Sequence, residues 1–67
     1  MMTVALSMCL IKYFENTYGI KILYENFDVI TDTLNSLGYN VTLNTKDFYL
    51  YIDISEKEYI FARLKYE

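Results

Sequence analysis

A chain of 67 residues is one small domain, near the lower limit at which a single core stabilises a fold. Its 54% hydrophobic and 22% charged content excludes disorder, and its formal net charge of −3 speaks against a non-specific nucleic-acid binder, which usually carries a basic surface. It holds no His, no Pro and one Cys, so no disulfide framework forms within it.

A lone thiol fits a reducing cytosol better than secretion, so Cys9 reads as a small core residue and the expected location is the cytoplasm. So much apolar material in so short a chain is hard to bury completely. That predicts a face kept for a partner or for a second copy of the chain.

The apolar run from Met1 to Ile11 is too short to span a bilayer, which takes about 20 apolar residues in a helix. It also lacks the basic leader and cleavage site of a signal peptide, so it reads as buried structure with no membrane association. Thr3 to Tyr18 reads as a helix stopped at Gly19, with Leu6, Leu10, Tyr13/Phe14 and Thr17 at helical spacing. Val4, Met8 and Ile11 widen that stripe until the helix is apolar nearly all round. The rival is a strand from Thr3 to Phe14 that turns at residues 16–19.

Ile20 to Tyr24 reads as a short strand, with Ile20, Ile22 and Tyr24 on one face. Glu25-Asn26 then opens a second helix, Phe27 to Leu37. Asn26 is a good N-cap, Asp28 suits the first turn, and Phe27, Ile30, Leu34 and Leu37 make one apolar stripe. Gly38 closes this helix as Gly19 closes the first. The parallel between Asn16-Thr17-Tyr18-Gly19-Ile20 and Asn35-Ser36-Leu37-Gly38-Tyr39 reads as shared turn chemistry rather than duplication.

Tyr39 to Asn44 is the next strand, with Tyr39, Val41 and Leu43 toward the core. The stretch that follows organises the chain. Phe48, Leu50, Ile52 and Ile54 fall at strict two-residue spacing with Tyr49, Tyr51 and Asp53 between them, the period of a strand buried on one face. It reads as a middle strand. Pairing Leu43 with Phe48 sets Val41 opposite Leu50 and Tyr39 opposite Ile52, and a two- or four-residue loop around Thr45-Lys46 satisfies that parity.

The final segment carries two patterns. Ile60, Ala62, Leu64 and Tyr66 alternate with Tyr59, Phe61, Arg63 and Lys65 in strand period, the leading reading. Yet Ser55-Glu56-Lys57-Glu58 is a capping box, and Ile60, Phe61 and Leu64 would make a helical face. The expected fold is thus α+β: two helices packed on one face of a small, about four-stranded, mostly antiparallel sheet ending in a β-meander. A right-handed crossover would make the first strand parallel to a neighbour.

Catalytic and metal signatures do not emerge. Without His the usual general acid or base at neutral pH is missing, and no HExxH, CxxC, nucleophile-elbow or glycine-rich phosphate pattern occurs. Asp28 and Asp32 share a helix face at i and i+4, a spacing that suits a hydrated Mg²⁺ but reads first as a solvated face. The expectation is no enzyme, no cofactor and no metal.

The outer face of the meander is more informative. There Tyr49, Tyr51, Tyr59 and Phe61 would point outward beside Arg63 and Lys65, and aromatics with Arg are the residue types of interface hot spots. The plainer reading is that tyrosines suit strands and tolerate water. Such a face can also stack the bases of single-stranded nucleic acid. Only Arg63, Lys65 and Lys21 would serve the backbone there, against Glu25, Asp53 and Glu58.

In size, acidity and richness in Tyr, Ile and Asn the chain resembles small phage or mobile-element proteins that bind and block a host enzyme. The likeness is one of composition and rests on no motif. It implies an acidic inhibitor of a host protein such as a defence nuclease, meeting a nucleic-acid-binding surface by charge complementarity. The alternative is a self-associating accessory or single-stranded nucleic-acid-binding module. A two-fold homodimer is the expected form of self-association.

Overall fold

The computed structural model describes residues 1–23 and 26–67. Six elements follow in order: β1 (Met2–Ala5), α1 (Met8–Tyr18), α2 (Phe27–Ser36), β2 (Asn40–Asn44), β3 (Tyr49–Ile54) and α3 (Glu56–Tyr66). The three strands form one antiparallel sheet in the order β1-β3-β2. The α+β class and the central place of β3 are as read from the sequence. The arrangement around β3 differs.

The first expected helix divides in two. Residues 2–5 pair with β3, Val4 opposite Ile52 and Ala5 opposite Tyr51, and only then does α1 begin. Ser7 explains the break. Its side chain accepts a bond from the Leu10 N–H at 3.4 Å, so the helix starts behind it and the residues ahead are free to extend. At the far end Gly19 takes φ 66, ψ 36 and returns its N–H to the Glu15 carbonyl, a left-handed stop that a side chain resists. Leu10, Ile11, Tyr13 and Phe14 are buried along α1.

The strand expected at Ile20–Tyr24 is not formed at residues 20–23, and Tyr24 lies outside the described residues. The segment is tied to α1 instead: the Ile22 N–H donates to the Glu15 carboxylate at 2.8 Å, and the Ile22 side chain is buried. That acceptor replaces a strand neighbour. With no strand here, there is no parallel crossover, and the sheet has three strands among the described residues.

The second helix matches its reading. Asn26 Oδ1 accepts from Asp28 N at 2.9 Å and Val29 N at 3.4 Å, Ile30 and Leu34 are fully buried, and Phe27 and Leu37 pack beside them. The hairpin keeps the expected parity but slides by two residues. Leu43 faces Leu50 and Val41 faces Ile52, across a four-residue loop at 45–48. Phe48 therefore leaves the strand. It sits at φ 55 and is 69% exposed, where the spacing had placed it in the core. Asp47 secures the loop by accepting from Tyr49 N at 3.1 Å.

The last element is a helix, not the third strand of a meander. Ser55 accepts from Glu58 N at 3.2 Å, the capping half of the box. Ala62 is fully buried, and Tyr59 and Tyr66 pack partly against the core on the same side, at helical spacing. One cluster joins Leu6, α1, Ile22, α2, Val41, Leu50, Ile52, Ile54 and Ala62. Cys9 lies partly buried at its edge with its thiol 3.2 Å from the Ala62 carbonyl. Burial, aided by the charge of Glu67, pushes that thiol pKa up, which disfavours the thiolate form.

Candidate interaction surface

Because β3 alternates, Leu50, Ile52 and Ile54 point into the helical layer while Tyr49, Tyr51 and Asp53 point away. Their partners across the sheet follow the same parity, so Thr3, Ala5, Asn40, Thr42 and Asn44 share the outer side. None of these residues is buried. One face of the sheet is thus open.

That face has internal order. Asp53 at its centre accepts from the Thr3 hydroxyl on one side and from Asn40 Nδ2 on the other at 3.0 Å, a polar row spanning all three strands. Those bonds, Thr3 first, hold the Asp53 carboxyl below its ordinary pKa, so it stays charged. In the next row Tyr51 stands between Ala5 and Thr42, both shorter side chains. Its hydroxyl donates to Asp47 Oδ2 at 2.8 Å, and its ring meets Tyr49 edge-on at 6.3 Å between centroids. The bond to Asp47 also raises the Tyr51 pKa. Tyr49 and Tyr51 form a pre-set aromatic ledge, flanked by the carboxylates of Asp47 and Asp53.

The expected five-residue site does not stay together. Tyr59, Phe61 and Arg63 stand on α3, on the other side of the sheet layer from Tyr49 and Tyr51. Had α3 been a strand, all five would have shared one surface. Arg63 lies over the Tyr59 ring with its guanidinium carbon 5.6 Å from the centroid, and its Nε donates to Glu67 at 2.5 Å. Phe61 turns its edge to Tyr13 at 6.0 Å. Lys65 lies near the Phe61 and Tyr66 rings, within α3 rather than beside the sheet tyrosines.

Sequence reading missed a second polar–aromatic cluster. The Tyr39 hydroxyl donates to Glu58 at 2.8 Å and lies 2.8 Å from the Tyr18 hydroxyl, so α1, β2's entry and α3 are tied through one ring. Phe14 packs against Tyr39 at 4.8 Å. The partners come from distant positions, and no local spacing announces them. Burial first, then the bonds to Tyr18 and Glu58, raise the Tyr39 pKa well beyond the usual tyrosine range.

A raised pKa means that the folded state holds its proton more tightly than the unfolded chain does. Its contribution is complete below about pH 10 and is lost as pH climbs toward the folded value. Tyr13 is shifted in the same direction by burial and Glu58, so it adds to the decline. Tyr39→Phe should cost about 1 kcal/mol at neutral pH yet lose stability less steeply in alkali. Denaturant titrations at stepped pH check this, and equal slopes for the two proteins would count against it.

Among the described residues no helix is long and apolar enough to cross a membrane, and no group of three or more His, Cys, Asp or Glu side chains converges on one point. Asp28 and Asp32 are exposed on α2. No family model, curated protein or solved structure matches the chain.

Proposed function

We propose that this chain is a small, non-enzymatic binding protein whose working surface is the open face of the sheet, with Tyr49 and Tyr51 as anchors. The carrying observation is the ledge itself: an exposed Tyr49 ring beside a half-buried Tyr51 ring, their positions set by Asp47 and by small neighbours before a partner arrives. Tyrosine offers large contact area for few rotatable bonds, and pre-ordering lowers the entropy lost on docking. Asp47 and Asp53 beside the rings suit a basic partner surface.

The finer reading is a phage- or mobile-element-type inhibitor that occludes a host protein such as a defence nuclease. Likeness in size and composition supports it, together with the acidic rim, since a nuclease presents a basic groove to its substrate. The single-stranded nucleic-acid reading draws less support. A phosphate backbone beside Tyr49 and Tyr51 would meet two carboxylates, and Arg63 and Lys65 stand across the sheet on α3.

The test combines capture and titration with one variant, Tyr49→Ser/Tyr51→Ser. A protein retained from the native host by the wild type and lost by the folded double variant would support the reading. Fluorescence anisotropy with labelled single-stranded DNA and RNA at low salt supplies the opposing arm. Tight oligonucleotide binding that falls steeply with salt and with the same substitutions would replace it.

A further inference from the structure

The outer side of α3 is apolar where a solvated helix should be polar. Ala62 is fully buried, and the residues opposite it on the helix, Ile60 and Leu64, are 48% and 83% exposed. Lys57 and Glu67 continue the same side, and both are exposed. The four residues 57, 60, 64 and 67 are spaced three, four and three apart. That is the seam spacing of a coiled coil, with Lys at one end, Glu at the other and two aliphatic side chains between.

We propose that two copies of this chain pair through α3, antiparallel about a two-fold axis that crosses the helix at the level of residue 62, on the side away from the buried Ala62 side chain. In that arrangement Ile60 of each copy packs against Leu64 of the other. Lys57 of each copy meets Glu67 of the other. The seam is complementary to itself in both shape class and charge, and only in the antiparallel sense; a parallel pairing would set Lys57 on Lys57 and Glu67 on Glu67. Arg63 borders the axis and holds both oxygens of the Glu67 carboxylate of its own chain, at 2.5 and 2.9 Å, so that carboxylate meets the partner's Lys57 through its remaining lone pairs. Phe61, half exposed and anchored on Tyr13, widens the apolar contact on the opposite flank. A pair of 11-residue helices is at the small end of specific interfaces, so the dimer is reversible. This pairing uses none of the sheet face, so it stands apart from the reading of Tyr49 and Tyr51.

Sedimentation across a wide dilution series tests it. The wild type should move from the 8.0 kDa monomer toward a dimer as concentration rises. Leu64→Lys, which keeps helix propensity at a position 83% exposed, should weaken association by about a hundredfold, with an unchanged melting curve at concentrations where the wild type is monomeric. Lys57→Gln should also weaken it, because the attraction to the partner's Glu67 is lost, and Lys57→Glu should weaken it further. A wild type monomeric throughout, or a dimer that survives Leu64→Lys, would overturn the pairing. Association that strengthens with Lys57→Gln would overturn its antiparallel register.

Discussion

Phe14→Ala is expected to cost about 3–5 kcal/mol, the largest single loss in the molecule. Phe14 is fully buried on α1 and meets the rings of Tyr13, Tyr18 and Tyr39. Removing it leaves a cavity walled by three other aromatics, and rigid rings collapse poorly into such a space. It also frees Tyr39, whose hydroxyl links Tyr18 to Glu58. At about 0.05–0.15 kcal/mol per residue the whole domain holds only a few kcal/mol. The variant should therefore show a largely unfolded circular-dichroism spectrum at room temperature, recovering in a stabilising osmolyte. A native spectrum with a urea midpoint near the wild-type value would show that the aromatic cluster is peripheral.

The second large effect contrasts two neighbours. Leu50 is 3% exposed and Tyr49 is 41% exposed, although they are adjacent on β3. Leu50→Ala should cost about 2–5 kcal/mol, whereas Tyr49→Ser should cost under about 1 kcal/mol. Urea titrations of both variants measure the difference. Comparable losses would mean that the outer face is covered rather than open.

What was legible in the sequence is instructive by element. β3 was readable because its alternation has a single cause, one buried and one open face. α2 was readable because Asn26, the Ile30/Leu34 stripe and Gly38 agree on where it begins and ends. The hairpin's parity was readable too, but its register was not. A slide of two residues keeps every side chain on its face, and only the loop geometry that places Phe48 at a positive φ decides between them.

Elsewhere local patterns competed. A run such as Thr3–Leu6 suits strand or helix, and the choice is made by β3, more than forty residues away in sequence. Ser7 was the available signal. For α3 the misleading feature was its outward side: Ile60 and Leu64 are apolar yet exposed, so they fill positions at which a solvated helix shows polar residues. That blurred a helical period into an apparent two-residue one, and the candidate site was drawn across a strand that does not exist. Tyr49 and Tyr51 were placed on the outer face because they lie on β3. Tyr59, Phe61 and Arg63 were assigned to the same surface only through that error.

The placement of β1 in the sheet sets the order in which this chain can assemble. Thr3 pairs with Asp53 across fifty residues, whereas β2 reaches β3 through a short loop. Closing the short loop costs little entropy, and closing the long one costs more and must come against something already formed. The hairpin is therefore the template, and β1 is the clasp laid along its free edge. On a ribosome β1 is made early and waits, unpaired, until β3 has emerged. Through that interval β1 has no strand to pair with, and the apolar side of α1 lacks the sheet that will cover it. The sheet is complete only when the clasp shuts.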